Sequence, residues 1–537
     1  MISPTMTGAV TASALVLQAP QIEWSNLVAI FVLFGGAAVS VLLEALVPRR
    51  ARRSVQIALT TLVLIAALVA VIVPWSRGDY LLAGESALAL DGPTYATWSM
   101  LMVFGLGTVL LFAERMGGAQ TSFVANASSV PGSALERESE EARREHTEVF
   151  PLLLFCLFGM MLFAASNDLI LMFVALEIFS LPLYLLTGLS RRRRLVSQEA
   201  SVKYFLLGAL SSAIFLYGIA LVYGAAGSFQ LGIIAQASMT QISGSKIFAA
   251  GMILLAVGLL FKVGAVPFHN WTPDVYTGAP SPVTAFMSIA TKMVAVLGLM
   301  RVMYVALGAM RWDWQLLLAV VAVASMAVGA IVGLSQTDMK RMLAYSSIAH
   351  AGFIMVGVVG AYTLQTGQRP DQTGSVSSVL IYLAGYGLAT IGFFMVILMV
   401  RKAGGESTEI DSWAGLGRRH PMLGALIVLF MLSFAGIPAT AGFTGKLFVF
   451  LAGWRGGYAW LVLLGVIFSL VAAYFYLHVI YVVFFKTPGE QAQGVEVGDP
   501  SVGGWIVLVV CALGTLILGL YPQPIIEMVN HASVFLR

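Results

Sequence analysis

Five ionisable side chains fall inside long apolar runs of this sequence: Glu177, Lys203, Lys262, Lys292 and Lys446. A charged side chain at the centre of a membrane helix costs roughly 2.5–3.5 kcal/mol on insertion scales. Five of them facing lipid would oppose insertion by more than about 10 kcal/mol, so the deep ones must face a paired or hydrated interior. Groups so placed are candidates for proton relay. Burial disfavours the charged form of a lysine and a nearby carboxylate favours it. A Glu–Lys pair therefore takes up or releases a proton as its separation changes, and Glu177 with Lys262 is the natural pair. His350 closes the polar stretch SQTDMKRMLAYSSIAH, which enters another apolar run. It reads equally as a packed histidine bonded to a hydroxyl or as a relay, since imidazole titrates near neutrality.

Milder readings stand beside some of these. Lys203 is only a few residues into its run, where a long side chain also reaches the cytoplasmic interface. Arg301 lies toward the outer end of its run, and snorkelling is expected there. Glu44 sits close to a run's end and reads as an interfacial charge. Glu177, Lys262 and Lys292 are too deep for that explanation, and Lys446 depends on where its helix is interrupted.

The elements that must position these groups are membrane helices. The 537 residues are 59% hydrophobic and only 10% charged, against about 25% charged in soluble domains. Apolar runs of the roughly 20 residues that span a bilayer recur along the chain. They lack the alternation of barrel strands, so the expected fold is an all-α polytopic membrane protein with about fourteen transmembrane helices. The fourth and fifth are separated only by Ser166, Asn167 and Asp168. Segment 1–25 has no basic stretch before its apolar part and is not read as a cleaved signal peptide.

Several chemistries are not signalled. The two cysteines, Cys156 and Cys511, lie inside apolar runs, so neither a disulfide framework nor an iron–sulfur cluster is expected. No phosphate-binding glycine motif and no metal-ligand spacing is present, so no cofactor and no metal are expected in this chain. The basic excess lies in loops and describes topology, with no nucleic acid implied. One set of alternate loops holds 19 Lys and Arg residues, including Arg191 to Arg194, and the other set holds six. Cytoplasmic loops carry that excess, which places both termini outside. Segment 115–148, rich in Glu and Arg and too poor in apolar residues to form a core, reads as a flexible or marginally helical cytoplasmic loop, solvated in preference to a binding element.

Two of the runs are interrupted by proline, in FKVGAVPFH (261–269) and in FAGIPATAGFTGK (434–446). Proline removes a backbone donor and clashes with the preceding turn, so each helix should unwind locally. Unwound backbone survives at membrane depth where it lines a cavity or is buried in protein. The interruptions lie five spans apart, each close to a lysine, the pattern of a transporter-like inverted repeat. The expected organisation is three helices in 1–114, the loop 115–148, five-helix repeats at 149–307 and 315–485, and a last helix within 486–537.

These residues carry a resemblance. LEIFSLP (176–182), FKVGAVPFHNWTPDVYTGAP (261–280), DMKRMLAYSSIAH (338–350) and GFTGK (442–446) are similar to the antiporter-like membrane subunits of bacterial NADH–quinone oxidoreductase, respiratory complex I. That family is shared with multisubunit cation/proton antiporters. The likeness runs from about the fourth span to the thirteenth, and the long proline-bearing stretch is its specific part. Lysine at 446 argues against one antiporter-like sister, which has glutamate there, and a chain ending soon after its last span argues against the longest sister. The loop at 115–148 departs from the compact pattern.

The resemblance implies fourteen helices with two inverted five-helix repeats and a broken helix in each. It implies that Glu177 and Lys262 serve a first half-channel, that Lys292 connects, and that Lys446 serves a second, with Lys203 and His350 as further proton-transfer candidates. The chain would be a non-redox subunit of a proton-translocating enzyme in the bacterial inner membrane. NADH, FMN, iron–sulfur clusters and quinone would belong to partner subunits, and the partners would be other membrane-arm subunits, antiporter-like sisters and lipid. Quinone reduction elsewhere would shift the Glu177–Lys262 pairing and send protons along Lys292 and His350 toward Lys446. The alternatives are a subunit of a multisubunit Na+/H+ antiporter and, more weakly, a stand-alone uniporter or scaffold.

Overall fold

The structure, a computed structural model, describes residues 23–116, 121–123, 134, 138, 146–190, 194–240, 244–362, 373–402, 405–530 and 532–536. Most of the charged loop expected at 115–148, and the segment 1–22, lie outside the described residues. The helices are α1 (Val28–Leu46), α2 (Arg49–Arg77), α3 (Gly92–Ala113), α4 (Val149–Ala165), α5 (Leu169–Thr187), α6 (Arg194–Ala226), α7 (Leu231–Thr240), α8 (Lys246–Val263) and α9 (Trp271–Gly278). They continue as α10 (Ser281–Arg301), α11 (Arg311–Gly333), α12 (Met339–Gly360), α13 (Ser375–Met399), α14 (Pro421–Ala435), α15 (Ala441–Arg455), α16 (Ala459–Phe484), α17 (Val502–Leu520) and α18 (Gln523–Asn530). Among the described residues, 12 helices are long and apolar enough to cross a membrane. Val149–Ala165 and Pro421–Ala435 are apolar but shorter.

Local chemistry sets the helix starts. Asp168 accepts the amides of Ile170 and Leu171 at the start of α5, Asp338 that of Arg341 at α12, and Ser245 that of Phe248 at α8. Such side chains satisfy amides that have no partner within the helix. The three-residue link from α4 to α5 works because the neighbouring amides also find acceptors. Asn167 N–H donates to Ala87 O and Leu169 N–H to Phe229 O.

Burial sorts the helices into a centre and a rim. Every residue of α10 is buried, and nearly every residue of α12 and α13. A helix apolar on all sides belongs inside a larger protein or in lipid; these three are walled in by protein. The rim helices turn large apolar side chains outward, among them Leu42, Leu62, Leu206, Leu210 and Leu470. Two small sheets, unforeseen in an all-helical reading, tie loops together. Leu81–Ala83 pairs with Leu88–Leu90, and Val400–Lys402 pairs with Gly405–Glu406 and Val495–Val497.

One expectation is overturned. Arg301 does not snorkel: its side chain is 0% exposed and forms a two-pronged ion pair with Asp91, at 2.9 and 2.8 Å. Thr94 Oγ1 accepts a further hydrogen bond from Arg301 at 2.7 Å. The Phe535 ring lies 4.8 Å from the guanidinium, and the Leu536 amide donates to Asp91. Snorkelling is unnecessary because a buried carboxylate is already in place, and the planar guanidinium matches it.

Removing one partner of a buried ion pair strands the other, at a cost of roughly 3–5 kcal/mol. Asp91→Ala should therefore lower the thermal unfolding temperature of the detergent-solubilised protein by several degrees. Adding Arg301→Met to that variant should recover most of the loss.

Candidate functional site

The first broken helix is closed by a left-handed glycine. Gly264 (φ +76°) ends α8, and its amide donates to Leu260 O at 3.0 Å and Phe261 O at 3.1 Å. The Ala265 amide adds a bond to Leu260 O at 3.1 Å. Glycine takes this conformation without a Cβ clash. Lys262, two residues before it, is 2% exposed. Its ammonium donates to Ser180 Oγ at 2.7 Å and Tyr184 OH at 3.4 Å, both on α5. It also lies 5.6, 5.6 and 5.9 Å from the rings of Phe179, Tyr184 and Tyr204, a cation–π cage.

Glu177 stands one turn before Ser180 on α5. It acts on Lys262 electrostatically, yet the two form no direct ion pair among the described residues. Its Oε1 is buried with no hydrogen-bond partner. Ser180, not Glu177, is the side chain beside the Lys262 ammonium.

At the centre, Lys292 of α10 donates to Ser347 of α12, to Oγ at 2.5 Å and also to the backbone carbonyl. Ser347 Oγ is 3.3 Å from Tyr276 OH on α9, the short helix beyond the first break. The Lys292 ammonium sits 5.2 Å from the Tyr386 ring on α13. One turn further along α12, His350 is held at both ring nitrogens. Nδ1 is 2.5 Å from Tyr382 OH and Nε2 is 3.2 Å from Tyr476 OH. Both Lys292 and Lys446 act on it electrostatically.

The second break repeats the closure of the first. Gly436 (φ +83°) ends α14, its amide donating to Leu432 O at 3.0 Å and Ser433 O at 3.1 Å, with the Ile437 amide on Leu432 O at 3.0 Å. The lysine sits differently. Lys446 lies beyond the break, on α15, and reaches back to donate to Phe434 O at 3.0 Å, Ala435 O at 2.8 Å and Ser469 Oγ at 2.9 Å. It thus satisfies carbonyls at the negative end of α14.

The structure places Glu177 one turn from Ser180, the acceptor of Lys262, and gives Lys292 and His350 a shared neighbour in Tyr386, and His350 and Lys446 one in Phe353. Lys203 stands apart, its side chain 43% exposed and paired with Glu199 at 2.7 Å and Asp274 at 2.8 Å. Asp274 also binds Arg341 at 2.9 Å. Sequence reasoning missed Asp274, although it stands inside the proline-bearing stretch. It also missed Ser180, Ser347, Tyr382 and Tyr476, which have no signature of their own. Among the described residues no group of His, Cys, Asp or Glu side chains converges as a metal ion requires.

The family model for the transmembrane part of NADH:quinone oxidoreductase and Mrp antiporter subunits matches residues 166–472, which include both breaks, Glu177, His350 and the three buried lysines but stop short of Tyr476. The chain belongs to this family. It is 67% identical over 519 residues to NADH-quinone oxidoreductase subunit N of Cutibacterium acnes, covering 97% of this chain and 96% of that protein. Among solved structures, a chain of respiratory complex I from Thermus thermophilus with bound aureothin superposes with a TM-score of 0.73 at 32% identity, over 93% of this chain and 98% of that one. A chain of the Mrp complex from Dietzia sp. superposes at 0.76 with 19% identity, over 95% of this chain and 97% of that one, a likeness of fold alone.

The glycine closures give a direct test. Alanine at 436 would hold an unfavourable left-handed conformation, about 1–2 kcal/mol, and its Cβ would lie 2.7 Å from Lys446 Cδ. Gly436→Ala should lower the unfolding temperature. Gly35→Ala, on a helix face with nothing within 4 Å of the new Cβ, should leave it unchanged or raise it slightly.

Proposed function

We propose that the chain is a proton-translocating subunit in the membrane arm of NADH–quinone oxidoreductase. The carrying observation is the succession of buried groups, Lys262 on Ser180, Lys292 on Ser347, His350 between two phenols and Lys446 on the α14 carbonyls. It occurs in a chain 67% identical to a subunit N. Ammonium groups removed from water and given only neutral acceptors are poised to lose or regain a proton when a neighbouring charge moves.

Glu177 is the proposed moving charge. Closing on Lys262 it would hold the proton there; opening, it would release the proton toward Lys292, His350 and Lys446. Lys203 is the proposed entry group, near the α6 end that follows Arg191 to Arg194, on the side the loop charges assign to the cytoplasm. The two breaks would belong to inverted five-helix repeats at 149–307 and 315–485. Their matching glycine closures support that reading. Both termini would face outward from the bacterial inner membrane. Electron transfer, with NADH, FMN, iron–sulfur clusters and quinone, would take place in partner subunits, and antiporter-like sisters would flank this chain. Its own part is proton transfer through side chains.

Lys262→Ala in the complete oxidoreductase, in inverted membrane vesicles, should cut NADH-driven proton uptake by about tenfold or more while the complex still assembles. Wild-type pumping by an assembled variant would remove Lys262 from the path. Na+-dependent proton exchange without NADH or quinone turnover would favour the antiporter reading instead.

A further inference from the structure

Between Lys292 and Lys446 the structure offers His350, and both ring nitrogens of His350 end on phenols. Tyr382 OH lies 2.5 Å from Nδ1 and Tyr476 OH 3.2 Å from Nε2. Neither phenol is used up by a backbone partner. Tyr476 OH shares its other hydrogen bond with Ser346 Oγ, next to the Ser347 that receives the Lys292 ammonium. All of these side chains are buried.

On the other side of His350 a small cavity is lined by His350, Tyr382, Ser433, Phe434, Gly442 and Gly445. It is a built feature. A Cβ on Gly442 would meet Ser433 O at 1.7 Å, and one on Gly445 would meet the Tyr382 Cα at 2.9 Å, so the second break and α13 are pressed together there without side chains between them. The cavity borders the lysine: Gly445 precedes Lys446 in the chain, and the Phe434 carbonyl accepts from the Lys446 ammonium. A space of this kind with several polar neighbours suits about one water molecule.

We propose that the hydroxyls of Tyr382 and Tyr476 are themselves proton-carrying groups, passing a proton through His350 toward Lys446. The inference rests on the proposed role of His350. The exchange conserves protons at every atom. The Nδ1–H bond breaks as Tyr382 Oη takes that proton and gives its own to water in the cavity, from which it reaches Lys446 once that side chain has lost a proton and stands as a neutral amine. In the same step Nε2 takes the Tyr476 hydroxyl proton and Tyr476 Oη takes that of Ser346, whose oxygen is reprotonated through a bridging water by the Lys292 ammonium, which becomes a neutral amine. Each phenol gains and loses one proton, and the imidazole ends in its other tautomer. Ring rotation or a return proton shift resets it.

The test uses the complete oxidoreductase in inverted vesicles, with Tyr382→Phe and Tyr476→Phe made separately. Each removes one hydroxyl and keeps the ring. Protons moved per NADH oxidised should fall about tenfold or more in both, with assembly intact by native gel. The solvent deuterium isotope effect on residual pumping should also change, which loss of mere packing would not cause. Tyr304→Phe, whose phenol bonds the Val358 carbonyl away from these groups, should pump as the parent does. Should a phenylalanine variant fail to assemble, Tyr382→Gln, which keeps a donor and an acceptor, takes its place, and tenfold slower pumping is again expected because an amide does not relay protons through a single oxygen. Parental pumping and isotope effect in assembled Tyr382→Phe would overturn the relay. If Lys262→Ala were defective at the same time, the wider reading would stand and only the phenols would be excluded. If both pumped normally, the wider reading would fall as well.

Discussion

An ammonium group taken into a bilayer must find acceptors within the protein, because the hydrocarbon supplies none. Among the described residues Lys262, Lys292 and Lys446 do so, and the architecture follows from the acceptors used. Lys262 and Lys292 are answered by serine hydroxyls on neighbouring helices, and Lys446 by main-chain carbonyls that an unbroken helix would have kept for itself. Serving these groups requires tight approach of several helices at one depth. That explains why α10, α12 and α13 have no face toward lipid, and why the rim helices carry the apolar outer surface.

The two interruptions are closed alike and used differently. Each ends on a left-handed glycine with the same pattern of amide bonds. Lys262 precedes its glycine and faces α5, where Glu177 sits within electrostatic range but unengaged. Lys446 follows its glycine and is clamped on fixed dipoles. A side-chain carboxylate can rotate away; a helix end cannot. The asymmetry puts a side-chain acceptor at the first break and main-chain acceptors at the second.

Much of this was legible in the sequence, for identifiable reasons. Helical spans follow from the length of apolar runs, and even the doubtful pair around Ser166 to Asp168 separates where a capping aspartate stands. The prolines announced the breaks, though each helix ends at the glycine some residues earlier, Gly264 before Pro267 and Gly436 before Pro438. Cost identified the buried lysines. What stayed hidden depends on packing across distant segments. Arg301 was misread because nearness to a helix end says nothing of a carboxylate 210 positions away. The pairing of Lys203 with Asp274 joins segments 71 positions apart, which no linear pattern shows. Tyr382 and Tyr476 are ordinary residues for a membrane helix until a histidine is found between them.

The clasp around Arg301 bears on how the protein is made. Asp91 enters the membrane at the head of the third helix, long before its counter-ion exists, and Arg301 arrives 210 residues later. The Leu536 amide that completes the carboxylate's partners comes after a further stretch, 445 positions from Asp91. During synthesis each charge must therefore wait at the translocon or membrane surface, shielded by water or by another protein. The C-terminal end of α10 can settle against α3 only after Arg301 has been made, and the segment around Phe535 covers that junction later still.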